Sequence, residues 1–332
     1  MRLLRSLAGA SPRTPAGRGI AATIGGFDGI HLGHAALIGR THELAARDGL
    51  ASMVISFEPL PKEFFAKGAP VPRLTTFRER WRLLEAGATD LFCVLPFNEA
   101  LRRLRAAELA QMLAGAGIRH LVIGHDFRAA YRGEADVEWL RQHAPGAGIE
   151  LHVVDPVFTG GARVSSGLVR EALQSGDLRR AARLLGRNYS MRGRVERGQQ
   201  LGRTLGFPTA NLRLARRQTP MDGIFAVRVH GVGPGKGLAG VASHAERGKG
   251  LAGVASLGTR PTVGGTRPLL EAHVFDFAGD LYGREIEVEF VARLREERKF
   301  DSLDAMVVQM HQDAADARSA LASQVSSGDV SG

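Results

Sequence analysis

Two histidines three positions apart, His31 and His34, close the run Gly25-Gly26-Phe27-Asp28-Gly29-Ile30-His31-Leu32-Gly33-His34. The apolar residues before this run read as a strand and those after it as a helix. Glycines permit a tight turn and a close approach of backbone to a ligand. A strand feeding a helix N-terminus turns N–H groups and the positive end of the helix dipole toward an anion. On a first helical turn the two imidazoles share a face. There they can donate hydrogen bonds to phosphate oxygens as charge builds in a transition state. A zinc site would need further Cys or His ligands at matching spacing, and the neighbouring sequence offers none.

Two later segments have similar chemistry. Ser165-Ser166-Gly167-Leu168-Val169-Arg170 places hydroxyls before a helix and an arginine on its first turn. Serines there cap the helix and can also meet phosphate, and the planar guanidinium fork suits a polyphosphate. Gly202-Arg203-Thr204-Leu205-Gly206-Phe207-Pro208-Thr209-Ala210-Asn211 is a glycine-bearing loop that ends in hydroxyl and amide oxygens. Its N–H groups can cradle phosphate, and Thr209 and Asn211 can offer neutral oxygens to Mg²⁺ or another divalent cation. No Gly-Lys-Ser/Thr follows, so this is not the common P-loop.

The elements that must position these residues fall into two kinds. Between Ala21 and Leu185, short apolar runs alternate with amphipathic stretches. Strands are predicted at Ala21–Gly25, Ala51–Phe57, Leu91–Pro96, His120–Gly124 and Glu150–Val154. Helices are predicted at Ala35–Arg47, Phe77–Ala86, Ala106–Ala114, Ala135–His143, Gly167–Gln174 and Leu178–Leu185. That alternation implies an α/β domain with a parallel sheet. After Gly186 strand-like alternation takes over at Ser190–Glu196, Gly223–His230, Leu269–Phe277 and Arg284–Phe290, which implies an antiparallel barrel or sandwich. A helix capped by Ser302 follows to Arg318. The expected domains are 1–186 and 187–318, with 319–332 as a frayed tail.

Composition narrows the function classes. Of 332 residues, 44% are hydrophobic and 23% charged, as in ordinary globular proteins. The single cysteine, Cys93, lies in an apolar run and reads as core. No apolar stretch is long enough to span a membrane and no secretory core follows Arg2 and Arg5, so the chain reads as cytoplasmic, without a membrane partner. The net charge is +10, carried by 39 arginines and only five lysines. The arginines are dispersed and aromatic residues make up 6%, which argues against a nucleic-acid partner and for small anionic substrates. Oligomeric state is not legible.

Taken with their context, His31–His34 and Ser165–Arg170 resemble the cytidylyl- and adenylyltransferase superfamily. Ser56-Phe57-Glu58-Pro59-Leu60-Pro61 and Gly124-His125-Asp126-Phe127-Arg128 resemble segments of prokaryotic FAD synthetases. Residues 202–211 resemble the signature of riboflavin kinases. Gly223-Ile224-Phe225, Gly258–Thr262, Leu270–Phe277, Asp280–Gly283 and Lys299–Leu303 then follow in that family's order. The chain is thus similar to the bifunctional riboflavin kinase/FAD synthetase (FMN adenylyltransferase) family. The resemblance implies a Rossmann-like nucleotidyltransferase domain, then a six-stranded antiparallel barrel with a C-terminal helix. It implies ATP as a substrate of both steps, with riboflavin and FMN as acceptors. His31, His34 and Arg170 would be catalytic, with Gly25, Phe27, Gly33, Ser165 and Ser166 around ATP. Phe57, Pro59, Asp126 and Phe127 would meet flavin. In the second domain Gly202, Gly206 and Pro208 would hold ATP, and Thr209 and Asn211 the metal. Glu271 would be the general base, a role that suits a carboxylate within reach of the hydroxyl.

Some residues depart from the family pattern. Gly26 stands where Asn is common, Gly167 where Thr is common, and Ala129-Ala130 where Phe-Gly is commoner. In addition, Gly-Lys-Gly-Leu-Ala-Gly-Val-Ala-Ser occurs at 235–243 and again at 248–256. One copy suffices for a strand. The second runs directly into Leu257–Thr262 and is expected to hold the barrel position; the first copy pairing instead is the alternative. Three rival readings are a different nucleotidyltransferase, a flavin binder without turnover, and a nucleic-acid module that rests on charge alone.

Overall fold

A computed structural model describes residues 1–8, 10, 19–66, 71–198, 202, 205–232, 250–262 and 265–327. By its internal contacts the chain divides into two units, Met1–Val71 with Arg80–Ser165, and Pro72–Glu79 with Ser166–Gly332.

The first unit contains β1 (Arg2–Leu4), β2 (Ile20–Ile24), α1 (Leu32–Asp48), β3 (Ala51–Glu58) and α2 (Pro61–Phe65). The contact division falls within the next helix, α3 (Phe77–Ala86). Then come β4 (Leu91–Pro96), α4 (Glu99–Arg103), α5 (Ala106–Gly115), β5 (Ile118–Gly124), β6 (Arg128–Ala129), β7 (Ala135–Asp136) and α6 (Val137–His143). The unit ends with β8 (Glu150–Val154) and the hairpin strands β9 (Phe158–Thr159) and β10 (Ala162–Arg163). Six strands form a parallel sheet in the order β1-β4-β3-β2-β5-β8. All five residues of β2 are buried, because both faces of a central parallel strand are covered. Ile20, Ala22 and Ile24 pack toward Leu109 and Leu140, and Ala21 with Val122 toward Leu44 and Ala45 of α1. Cys93 lies within this core, and burial pushes its thiol up to about 12. The strand order reverses between β2 and β5, the point where open α/β sheets form a ligand crevice at the carboxyl ends of their strands.

The second unit begins with α7 (Ser166–Gln174) and α8 (Leu178–Leu185). Its barrel is β11 (Ser190–Glu196), β12 (Ala210–Arg213), β13 (Gly223–His230), β14 (Leu251–Thr262), β15 (Gly265–Val274) and β16 (Glu285–Arg295), followed by α9 (Leu303–Ser327). It closes in the order β11-β12-β15-β14-β13-β16, with antiparallel pairs throughout. Closure removes the unpaired edges of a sheet. A buried ion pair lies within the unit. Arg216 donates to both oxygens of Glu79 at 2.7 and 2.6 Å and to the Tyr189 hydroxyl at 2.9 Å. Glu79 also accepts from the Arg192 N–H at 2.9 Å and, in a capping box, from the Thr76 N–H at 2.7 Å.

The α/β unit followed by a six-stranded antiparallel barrel and a C-terminal helix is the architecture expected from the sequence. Several details go beyond that expectation, among them the edge strand β1 and the short elements α2, α4, β6, β7, β9 and β10. Strand β12, only four residues long, was not predicted. By contacts, helices α7 and α8 fall in the unit that holds the barrel; α8 turns Leu178, Ala181, Leu184 and Leu185 inward. The tail expected to fray from 319 is helical to Ser327, because Ala317 and Leu321 are buried against Ala226, Phe275 and Val291 of the barrel. Of the duplicated segment, Leu251–Ser256 of the second copy forms the start of β14; the first copy lies outside the described residues. Leu321→Ala removes a side chain only 4% exposed, and chemical denaturation should show a loss of about 2–4 kcal/mol. A change below about 0.5 kcal/mol, typical of a surface position, would mean that the last turns of α9 carry no load.

Candidate active sites

In the first unit, the carboxyl end of β2 leads into a turn with three positive φ angles: Phe27 at 49°, Gly29 at 88° and Ile30 at 42°. Such values are strained for Phe and Ile and persist only where the surroundings hold them. Phe27 is fully buried, its ring 5.0 Å from that of His34. The Gly26 carbonyl, just before it, accepts from Arg80 Nη1 and from Ser56 Oγ, both at 3.1 Å. Arg80 also donates to Ser56 Oγ at 2.8 Å and to Glu58 at 2.7 Å, and its side chain is fully buried. One guanidinium thereby ties the turn to the carboxyl end of β3. Nothing in the sequence marks Arg80 for this, since arginine on an amphipathic helix reads as solvent-facing.

His31 is the N-cap of α1, and its Nδ1 accepts from the His34 N–H at 3.3 Å. That bond fixes the neutral tautomer with its proton on Nε2, a donor suited to an anion. The two imidazoles stack at 3.7 Å with 14° between planes. A Cβ on Gly33 would stand 3.2 Å from the His31 ring, so any larger residue there would press on that imidazole. A cavity of about 230 Å³ opens here. It brings together Gly25, Phe27, His31, Gly33, His34, Asp126, Phe127 and Ser165. Asp126 pairs with Arg163. Burial opposes its charge, but the Arg163 bond and charge, with His125, hold its carboxyl below the usual range.

Four predicted residues do not line that cavity. Phe57 forms an aromatic group with Phe97 and, through it, Phe64 and Phe65. Pro59 is exposed beyond the cis Glu58–Pro59 bond. Ser166 and Arg170 begin α7 in the second unit, where Arg170 Nε donates to the Pro72 carbonyl at 2.8 Å.

In the second unit a cavity of about 720 Å³ is lined by Gly202, Thr209, Asn211 and Glu271. Strand register explains the meeting. Asn211 lies directly opposite Glu271 across β12 and β15, and Ser256 opposite Glu271 across β14 and β15. Opposed residues share a face, so Asn211, Glu271 and Ser256 form one polar row. Gly202 lies in a closed loop, its carbonyl accepting from the Phe207 N–H at 2.8 Å. Gly206 and Pro208 do not line the cavity; the Pro208 carbonyl accepts from His273 Nδ1 at 2.8 Å. Arg298 and Lys299 also line it, beside Phe300. In sequence Lys299 is a family marker and Ser256 part of a repeat; only the fold brings them to this cavity. Thr209 and Asn211 supply hard, neutral oxygens beside a carboxylate, a donor set that fits Mg²⁺.

Two family models match the chain. The FAD synthetase family model matches residues 14–168 and the riboflavin kinase family model residues 185–321. A bifunctional riboflavin kinase/FMN adenylyltransferase from Pseudomonas fluorescens is 40% identical over 321 residues, covering 96% of this chain and 97% of that one. The chain belongs to the bifunctional riboflavin kinase/FMN adenylyltransferase family. The family member from Escherichia coli K12 is 38% identical, with 96% and 97% covered. A solved structure from Streptococcus pneumoniae, described as a macrolide-efflux protein, is 27% identical with a TM-score of 0.74, covering 94% of this chain and 96% of that one. Among the described residues here, no helix is long and apolar enough to cross a membrane.

Within this family member, Arg80→Met should displace the turn before α1. Adenylyl transfer should fall by about 10²-fold, since misplacement near 1 Å costs that much. Thermal unfolding should show about 2–3 kcal/mol of destabilisation, less than for a fully buried pair because Glu58 is 34% exposed. Unchanged adenylyl transfer would show that the turn holds without Arg80.

Proposed function

We propose that the two activities of this family are carried by the two cavities separately, adenylyl transfer by residues 1–186 and phosphoryl transfer by 187–318. The chain is a riboflavin kinase and an FMN adenylyltransferase, an ATP-using enzyme of flavin cofactor biosynthesis. The supporting observation is that the two residue sets line different cavities in different units: His31, His34 and Asp126 in one, Thr209, Asn211 and Glu271 in the other.

In the barrel, the riboflavin 5′-hydroxyl attacks the γ-phosphorus of ATP, ADP leaves, and Glu271 takes the hydroxyl proton. Thr209 and Asn211 would hold Mg²⁺, which when bound neutralises charge on the phosphates. Arg298 and Lys299 add positive charge at the same cavity. In the first unit, a phosphate oxygen of FMN attacks the α-phosphorus of ATP and pyrophosphate leaves. A phosphate is already a competent nucleophile, so this step needs no strong base. His31 Nε2–H, His34 and the N-terminus of α1 stabilise charge on the phosphoryl oxygens. Ser165 assists in holding ATP, and Asp126 and Phe127 form the flavin side. The reaction takes place in the cytoplasm.

Product analysis over time tests the assignment. With riboflavin, ATP and Mg²⁺, the parent should form FMN and then FAD. Glu271→Gln should slow FMN formation by about 10²–10⁴-fold while still converting supplied FMN to FAD. His31→Asn keeps an N-cap acceptor, so folding should be near normal while FAD formation drops about 10²-fold and FMN accumulates. If Glu271→Gln impaired FAD formation from supplied FMN, or His31→Asn impaired phosphorylation, the division of labour would be wrong.

A further inference from the structure

At the end of the parallel sheet away from the nucleotide cavity, four polar side chains meet on an otherwise apolar face. His120 and Glu150 are register partners on β5 and β8, and His152 lies two residues on, on the same face as Glu150. That face is the one α1 covers, where Ala21, Val122 and Val154 pack with Leu37, Leu44 and Ala45. His120 is buried, with 7% exposed. Neither the phosphate turn nor the barrel uses these residues.

His120 Nδ1 lies 3.0 Å from His152 Nε2 and 3.4 Å from a Glu150 oxygen, and His152 Nε2 lies 3.3 Å from the other Glu150 oxygen. Ligand atoms on a tetrahedral ion bound at ~2.0–2.1 Å are about 3.3 Å apart. Each of the three separations is near that spacing, and one ligand atom from each of the three residues lies within 4.8 Å of the other two. From behind, Asp48 at the end of α1 bonds His120 Nε2 at 2.7 Å. Its carboxylate accepts a hydrogen bond from the Nε2–H, which leaves Nδ1 with its lone pair free to bind, the carboxylate–histidine arrangement that orients metal-binding imidazoles. The nearby arginines are already answered, Arg47 by Asp48 at 2.7 Å and Arg40 by Glu43 at 3.0 Å. His152 also borders a surface groove beside Gly39, Arg40 and Glu43, which gives an ion a way in.

We propose that His120, His152 and Glu150 bind one transition-metal ion of the Zn²⁺ class, with Asp48 as the positioning residue for His120. Two imidazole nitrogens and a single carboxylate suit such an ion and not Mg²⁺, which prefers oxygen ligands. The ion joins β5 to the edge strand β8 and, through Asp48, to the end of α1. Its function is to brace the sheet at the end opposite the nucleotide cavity, not to take part in transfer.

The test uses the full untagged chain, stripped with a chelator and titrated with Zn²⁺ and, separately, Co²⁺ in excess Mg²⁺. One ion per chain should bind, Co²⁺ should give the strong visible absorption of a tetrahedral site, and Zn²⁺ should raise the melting temperature. His152→Ala and Glu150→Gln, at more accessible positions than His120, should each weaken binding by more than tenfold and cancel the thermal gain. Asp48→Asn should weaken it about 10–100-fold. FMN and FAD formation under saturating Mg²⁺ should be retained in these variants. Absence of uptake would overturn the proposal in favour of a purely hydrogen-bonded cluster. Uptake that survives His152→Ala and Glu150→Gln but disappears with His31→Asn would place the ion at the phosphate turn and overturn it equally.

Discussion

A fully buried guanidinium sets the geometry of the first site. Arg80 has no water to answer its charge, so the protein must supply oxygens, and it supplies the Gly26 carbonyl, the Ser56 hydroxyl and the Glu58 carboxylate. Those three oxygens lie at the ends of β2 and β3, the two strands whose exits frame the phosphate turn and the following loop. Holding Gly26 fixes the residue before Phe27, which is then kept at positive φ by complete burial of its ring. The turn can therefore present α1 with His31 as cap, and the cap bond in turn decides which nitrogen of His31 carries the proton. A cationic anchor, a strained turn and a tautomer form one chain of causes.

The first unit was largely legible because its signals are local. β4 and β8 fall where apolar runs predict them, and α3 where its amphipathic pattern does. The turn at His31 was legible for the same reason: strand, glycines and helix adjoin in sequence. What escaped reading depends on distant pairing. Arg80 acquires meaning only once Gly26 and Glu58 are brought beside it. His120 and His152 lie on different strands and meet through parallel register, which no spacing within either strand reveals. Short β12 was missed because four residues after a Gly-Pro loop carry too little alternation, and its identity comes from partners on both sides. The end of α9 was misread because small polar residues there look solvated, while Ala317 and Leu321 meet the barrel.

The duplicated segment shows how register can protect a site from an insertion. A strand slipped by one residue turns every side chain to the opposite face. Here β14 pairs with β15 without interruption from Gly253 opposite Val274 to Thr262 opposite Gly265, and with β13 from Leu251 to Leu257. The extra copy precedes β14 in a connection, where added length costs little entropy. Ser256 thus remains opposite Glu271, and Glu271 remains opposite Asn211. Had the first copy paired in the same register, residue 243, also serine, would have occupied the place of Ser256, but the chain from there to Leu257 would have had to bulge out beside Glu271. Pairing the second copy keeps β14 continuous into Leu257–Thr262. The barrel thus accommodates the repeat because both ladders of β14 fix the alignment of Ser256, Glu271 and Asn211.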